Sequence, residues 1–212
     1  MNILSSVKSN TFNKSKLLLP INNFTFRVKS TTSVVPTTAN GYAVTNNNGT
    51  LMVNNGTRGF VFNFAGNNSL SINLATPLNS TKTFWLSSST PQTGSGNVFS
   101  TTKTPIWFNG TTFLRASVNY PSGGDATSNV AQTSTWLFYA ITTTPTTTSL
   151  YVNGSLVSTL TVAWTGDTDK MVFGAYQTNN VGNYTGLMDD IRFYSNILTP
   201  TDIMTLYTST TL

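Results

Sequence analysis

A chain of 212 residues is long enough to bury a substantial core. Only 8% of its side chains are charged, against about 25% in an ordinary soluble domain, so solubility rests on hydroxyls and amides, chiefly 40 Thr and 25 Asn. The absence of Cys and His excludes disulfides, thiolate chemistry, and the commonest general base and metal ligand, and the absence of Glu leaves Asp as the sole side-chain carboxylate.

The net charge of +5 is unevenly spread: residues 1–124 hold nine basic and no acidic side chains, whereas residues 125–212 hold two basic and six acidic ones. Lys8, Lys14, Lys16, Arg27 and Lys29 crowd the N-terminus. Residues 1–35 are accordingly predicted as a polar, basic arm, and residues 36–212 as one sandwich domain. Such an arm suits an acidic partner protein or an anionic surface. It lacks the interleaved aromatic and Arg residues that track a nucleic-acid strand, which argues against nucleic-acid binding. "LLLP" is too short for the apolar core of a signal peptide, and no run approaches membrane-spanning length.

From about residue 40 the chain reads as short strands punctuated by Asn-Gly turns. In "RGFVFNF", Phe60, Phe62 and Phe64 alternate with Val61 and Asn63, the period of a strand with one buried face. "SLSINL" repeats it with Leu70, Ile72 and Leu74. "PIWF-NG-TTFLRASV" and "SLYV-NG-SLVSTLTV" each set Asn-Gly between two strand-like runs, the pattern of a hairpin with a type I′ turn. The mostly apolar "STWLFYAIT" between them suits a central buried strand. Many short strands with frequent turns predict an all-β, antiparallel two-sheet sandwich or jelly roll.

One helix is predicted, in "LTPTDIMTLY". Thr199 is its N-cap, Pro200 its first helical residue, and Asp202 lies in the first turn, where it meets free N–H groups and the helix dipole. Ile203, Leu206 and Tyr207 then share one apolar stripe.

Four motifs carry a family resemblance: "WLFYAIT" (136–142), "SLYVNGSLVST" (149–159), "GLMDDIRFY" (186–194) and "ILTPTDIMTLY" (197–207). In this order and spacing they resemble the pentraxin-like branch of the laminin G-like, concanavalin A-like jelly-roll superfamily, over residues 40–207. The resemblance implies a concanavalin A-like jelly roll with a short C-terminal helix. It does not imply one function, because that fold hosts glucanases, lectins, adhesion modules and structural domains.

Asp189 and Asp190 stand side by side in a predicted strand. Neighbours in a regular strand point to opposite faces, so this pair cannot flank one glycosidic bond. The catalytic strand of the glycosidases on this fold carries glutamates, and this chain has none. No enzyme activity is therefore expected. Met188, Ile191 and Phe193 break strict alternation at the pair, which predicts a bulge shaped by the two carboxylates.

The resemblance raises calcium as a cofactor, since many relatives bind it at the rim of the sandwich. The available ligands are Asp125 in "PSGGDATSN" and Asp167 and Asp169 in "TGDTDK"; the latter two equally suit a turn whose Asp side chains cap their own backbone.

Sugar binding needs exposed aromatic rings with amide and hydroxyl partners. Trp107, Tyr120, Trp164, Tyr176 and Tyr184 lie near loops. Trp85, Trp107 and Trp136 sit within strand runs and are expected in the core, which leaves Tyr120, Trp164, Tyr176 and Tyr184 as candidates, with Trp164 and Tyr184 expected to be exposed. The expected role is non-catalytic. It is either a structural component of a virion or other exposed surface, contacting neighbouring proteins through the arm, or a lectin-like carbohydrate-binding module. Self-association is compatible with both.

Overall fold

The structure is a computed structural model describing residues 24–28, 38–39, 42–88, 92, 95–110, 112–177 and 182–210. Among these, sixteen strands and one helix form two antiparallel sheets. The first runs β14 (Ser155–Thr161), β13 (Thr147–Val152), β12 (Leu137–Thr143), β7 (Ser80–Ser87), β16 (Thr185–Tyr194), β5 (Phe60–Ala65) and β4 (Leu51–Asn54), and β1 (Phe24–Val28) also pairs with β16. The second runs β11 (Gly124–Ala131), β10 (Phe113–Val118), β9 (Ile106–Asn109), β8 (Ser95–Ser100), β15 (Met171–Phe173), β6 (Ser69–Ile72), β3 (Tyr42–Asn47) and β2 (Thr38–Ala39).

Local chemistry accounts for the elements. Asn153 and Gly154 both take positive φ, 48° and 80°, and close the β13–β14 hairpin. Gly110, at φ 60°, follows β9 at the other Asn-Gly step. β12 is buried along its whole length between β7 and β13, as its apolar run predicts.

Side chains from both inner faces fill the space between the sheets. Phe62, Phe64, Phe84, Leu86, Tyr139 and Phe193 of the first sheet meet Leu70, Ile72, Phe99, Phe108, Leu114 and Phe173 of the second. On the outer face of the first sheet lies α1 (Pro200–Thr210). Its Ile203 and Leu206 pack with Trp85, Phe138 and Leu198, and Tyr207 lies 5.9 Å from the Trp85 ring. Thr199 and Asp202 cap it reciprocally: Asp202 N–H donates to Thr199 Oγ1 at 3.2 Å, and Thr199 N–H and Oγ1–H donate to Asp202 Oδ2 at 2.9 and 2.7 Å.

The expected arm needs a correction. Residues 24–28 fall within the stretch predicted to lie outside the sandwich, yet they form β1, in register with Ile191–Tyr194 of β16. "FTFRV" has the alternating apolar pattern that a sheet edge accepts, so the sandwich begins earlier than residue 36. The rest of residues 1–35 lies outside the described residues.

The Asp pair is at a bulge. Asp189 faces Trp85 and Arg192 faces Thr83 on β7, so Asp190 and Ile191 together oppose Phe84. Asp190 has φ 49°, a conformation that Asp tolerates better than most residues. The break divides β16, letting its first half pair with β5 and its second half with β1. Both carboxylates are buried and take guanidinium partners. Arg58 Nε donates to Asp189 Oδ2 at 2.9 Å. Arg192 donates twice to Asp190, Nε to Oδ1 at 3.0 Å and an Nη to Oδ2 at 2.6 Å. The Arg58 guanidinium also lies 4.1 Å from the Trp85 ring and 5.2 Å from that of Trp136. Burial lowers the pKa of Arg58 against the attraction of Asp189; burial also pulls on Arg192, but Asp190 and Tyr194 together outweigh it and the net shift is upward.

One cation sits in the core itself. Lys82 is buried on β7, with Nζ 5.4 Å from the Phe99 ring, 5.8 Å from that of Phe193, and 3.4 Å from Ser80 Oγ. Burial pulls its pKa down to about 8, partly opposed by Asp167.

Candidate functional site

On β9, Ile106 and Phe108 point into the core, so strand alternation turns Trp107 to the outer face of the second sheet, opposite the helix. Tyr120, just past β10, meets Trp107 edge-on, with centroids 5.9 Å apart and planes at 78°. Tyr176, just past β15, meets Tyr120 in turn at 5.9 Å and 66°. The three rings wall a pocket of about 220 Å³ whose other sides, among the described residues, are Pro105, Ser95, Asn97 and Gly182.

Hydrogen bonds hold these walls. Trp107 Nε1–H donates to Ser117 Oγ at 2.8 Å, and that hydroxyl donates to Asp125 Oδ1 at 2.5 Å. Arg115 completes the chain through Asp125 Oδ2 at 3.3 Å. Tyr120 N–H donates to the Lys103 carbonyl at 3.0 Å, and Tyr176 O–H to that of Thr102 at 3.4 Å. The Asn97 backbone and side-chain N–H groups both donate to the Gly182 carbonyl at 2.7 Å. Burial, then Tyr120 and Asp167, raises the pKa of the Tyr176 hydroxyl, so it stays a neutral donor. Beyond the 102–103 turn lies a wider groove of about 490 Å³, bounded by Pro77, Leu78 and residues 165–169.

Two of the four aromatic candidates therefore converge and two do not. Tyr120 is 39% exposed and Tyr176 stands beside it. Trp164 and Tyr184, expected to be exposed, are buried at 3% and 0%. Tyr184 lies 6.2 Å from both Phe64 and Phe108, and its hydroxyl donates to the Ser87 and Leu187 carbonyls at 3.2 and 3.3 Å. Tyr184 follows Gly182 and Asn183, and Trp164 precedes Thr165 and Gly166, residues that read as loop, but both rings turn inward. Trp107, expected in the core, is instead a half-buried pocket wall; its place between two core residues of one strand was the signal for this. Trp136 is also half-buried, its indole N–H donating to Asn55 Oδ1 at 3.0 Å.

The calcium ligands raised by the resemblance do not assemble. Asp125 is engaged by Ser117 and Arg115 behind the Trp107 indole. Asp167 accepts the backbone N–H groups of Lys103 at 2.9 Å and Asp169 at 3.0 Å, the latter closing a turn. Among the described residues no three His, Cys, Asp or Glu side chains gather around a point that could hold a metal ion.

A two-sheet antiparallel sandwich with this strand order is a jelly roll of the concanavalin A type. The chain belongs to the concanavalin A-like lectin/glucanases superfamily: the Laminin_G_3 family model matches residues 64–204. No curated protein sequence matches it. Several solved structures share its fold at low identity. The receptor binding domain of botulinum neurotoxin mosaic serotype C/D has 16% identity and a TM-score of 0.69, over 89% of this chain and 51% of that one. The binding domain of Paraclostridial Mosquitocidal Protein 1 has 14% identity and a TM-score of 0.70, over 89% and 52%. This chain thus spans about half the length of those toxin domains. Domain 4 of AbnA, an extracellular GH43 arabinanase of Geobacillus stearothermophilus solved with arabinotriose, has 17% identity and a TM-score of 0.65, over 79% and 89%.

Proposed function

We propose that this domain is a non-catalytic recognition module that binds carbohydrate in the pocket of Trp107, Tyr120 and Tyr176. The observation that carries the reading is the convergence of these three rings, from three separate segments, onto one half-enclosed space fringed by an amide and a hydroxyl. Sugars present C–H faces that pack on aromatic rings and hydroxyls that exchange hydrogen bonds with amides. The described lining holds no carboxylate, whereas glycoside hydrolysis needs two across the scissile bond. The neighbours lend support of the same kind: one is a domain in complex with arabinotriose, and another structure concerns a neurotoxin whose cell entry depends on two ganglioside molecules.

The test is a glycan array probed with the intact chain and with Tyr120→Ala. Reproducible signal on one glycan class, reduced about tenfold or more in the variant, supports the reading, because truncating an aromatic anchor typically costs that much. Signal equal in both proteins overturns the assignment of the pocket. The alternative, a structural place on a virion or other exposed surface through the arm, rests on composition and analogy, and is adopted if the array stays silent.

A further inference from the structure

We propose that the pocket takes an uncharged sugar at the end of a glycan chain, inserted as a single ring, and neither an acidic sugar nor the middle of a flat polysaccharide. The inference rests on the glycan-binding reading above and adds the ligand class.

Shape is the first ground. A polysaccharide ribbon that binds along its length needs ring faces set in one plane, so that successive sugars can each stack. Here consecutive planes cross at 78° and 66°, with Tyr120 turned against both of its neighbours. The rings make a corner, and a corner receives an end.

Size agrees. At about 220 Å³, the pocket falls below the roughly 300–1,000 Å³ that encloses a drug-sized ligand, which suits one sugar ring and excludes a buried chain.

Charge supplies the third ground. The described lining carries no formally charged side chain. Arg115, on the strand next to Trp107, is held by Asp125. Lys103 contributes its carbonyl to the Tyr120 N–H, and it borders the neighbouring groove instead. A carboxylate or sulfate entering the corner would lose water without gaining a cation, a cost that hydroxyls do not incur. Neutral groups are on offer: Asn97 commits its N–H groups to Gly182, and its Oδ1 accepts no hydrogen bond among the described residues. Tyr120 and Tyr176 also line the pocket, and the Tyr176 hydroxyl, which donates to the Thr102 carbonyl, keeps its capacity to accept a hydrogen bond.

The experiment uses the intact chain on an array of paired probes, each neutral glycan printed with and without a terminal sialic acid or sulfate. Bound probes are then trimmed by exoglycosidases that remove only the outermost sugar. The expected result is binding to neutral ends, a fall of about tenfold or more on capping or trimming, and competition by the free methyl glycoside of the terminal sugar. Binding confined to sialylated or sulfated probes, or binding undiminished by trimming, overturns the inference; if that binding is lost in Tyr120→Ala, the glycan reading survives. Silence on every probe, from a protein whose melting transition shows it folded, overturns both. Trp107→Ala serves as a second pocket variant, with circular dichroism confirming its fold.

Discussion

Ser117 stands between Trp107 and Asp125, accepting the indole N–H at 2.8 Å and donating to the carboxylate at 2.5 Å. The carboxylate that resemblance raised as a calcium ligand instead anchors an aromatic wall through one hydroxyl. Ser117→Ala and Asp125→Ala should each weaken glycan binding by about threefold to tenfold, the range of one net hydrogen bond. A shift of the Trp107 indole proton in the NMR spectrum, with a melting point close to that of the parent, would mark an effect on positioning. Unchanged affinity would remove the relay from the site.

Asp189 is fully buried against Arg58, whose guanidinium lies over Trp85. Asp189→Asn leaves that cation without its counter-charge, and removing one partner of a buried pair costs about 3–5 kcal/mol. Urea denaturation should show a loss of that order. A loss under about 1 kcal/mol would mean that stacking on the two tryptophans, not the ion pair, holds Arg58.

Lys82 links stability to pH. Its pKa is near 8 in the folded chain, below its ordinary value of 10.5. Between these values the unfolded chain binds more protons than the folded one, so stability rises with pH through this window. The buried hydroxyls of Tyr139 and Tyr184 have raised pKa values and oppose the rise above about pH 10. The unfolding free energy of the parent should therefore climb from pH 7 to 9.5, and that of Lys82→Met should stay flat. Parallel slopes would show that Lys82 is charged and solvated in the folded protein.

The reciprocal bonds between Thr199 and Asp202 cap the only helix among the described residues. Thr199→Ala should cost about 1 kcal/mol, seen as a lower denaturant midpoint. Glycan binding should not change, because the helix packs on the sheet opposite the pocket.

Much of this architecture was legible because its causes are local. Positive φ at an Asn-Gly step, the helix cap at Thr199 and the period-two pattern of "FVFNF" need only residues near in sequence. The bulge was visible for the same reason: two adjacent carboxylates interrupt an apolar alternation. Its partner was not. Arg58 lies 131 positions from Asp189, and nothing between them announces the pairing.

The aromatic residues draw the line most sharply. Sequence alone determined that this chain folds as a charge-poor β-sandwich with rings near its turns, because strand period and turn chemistry act over a few residues. Only the tertiary structure decided which rings are wet. Tyr184 and Trp164 went into the interior and Trp107 came out to join Tyr120 and Tyr176, since exposure depends on strand register and on what packs above each face, and both are set by residues far apart in the chain.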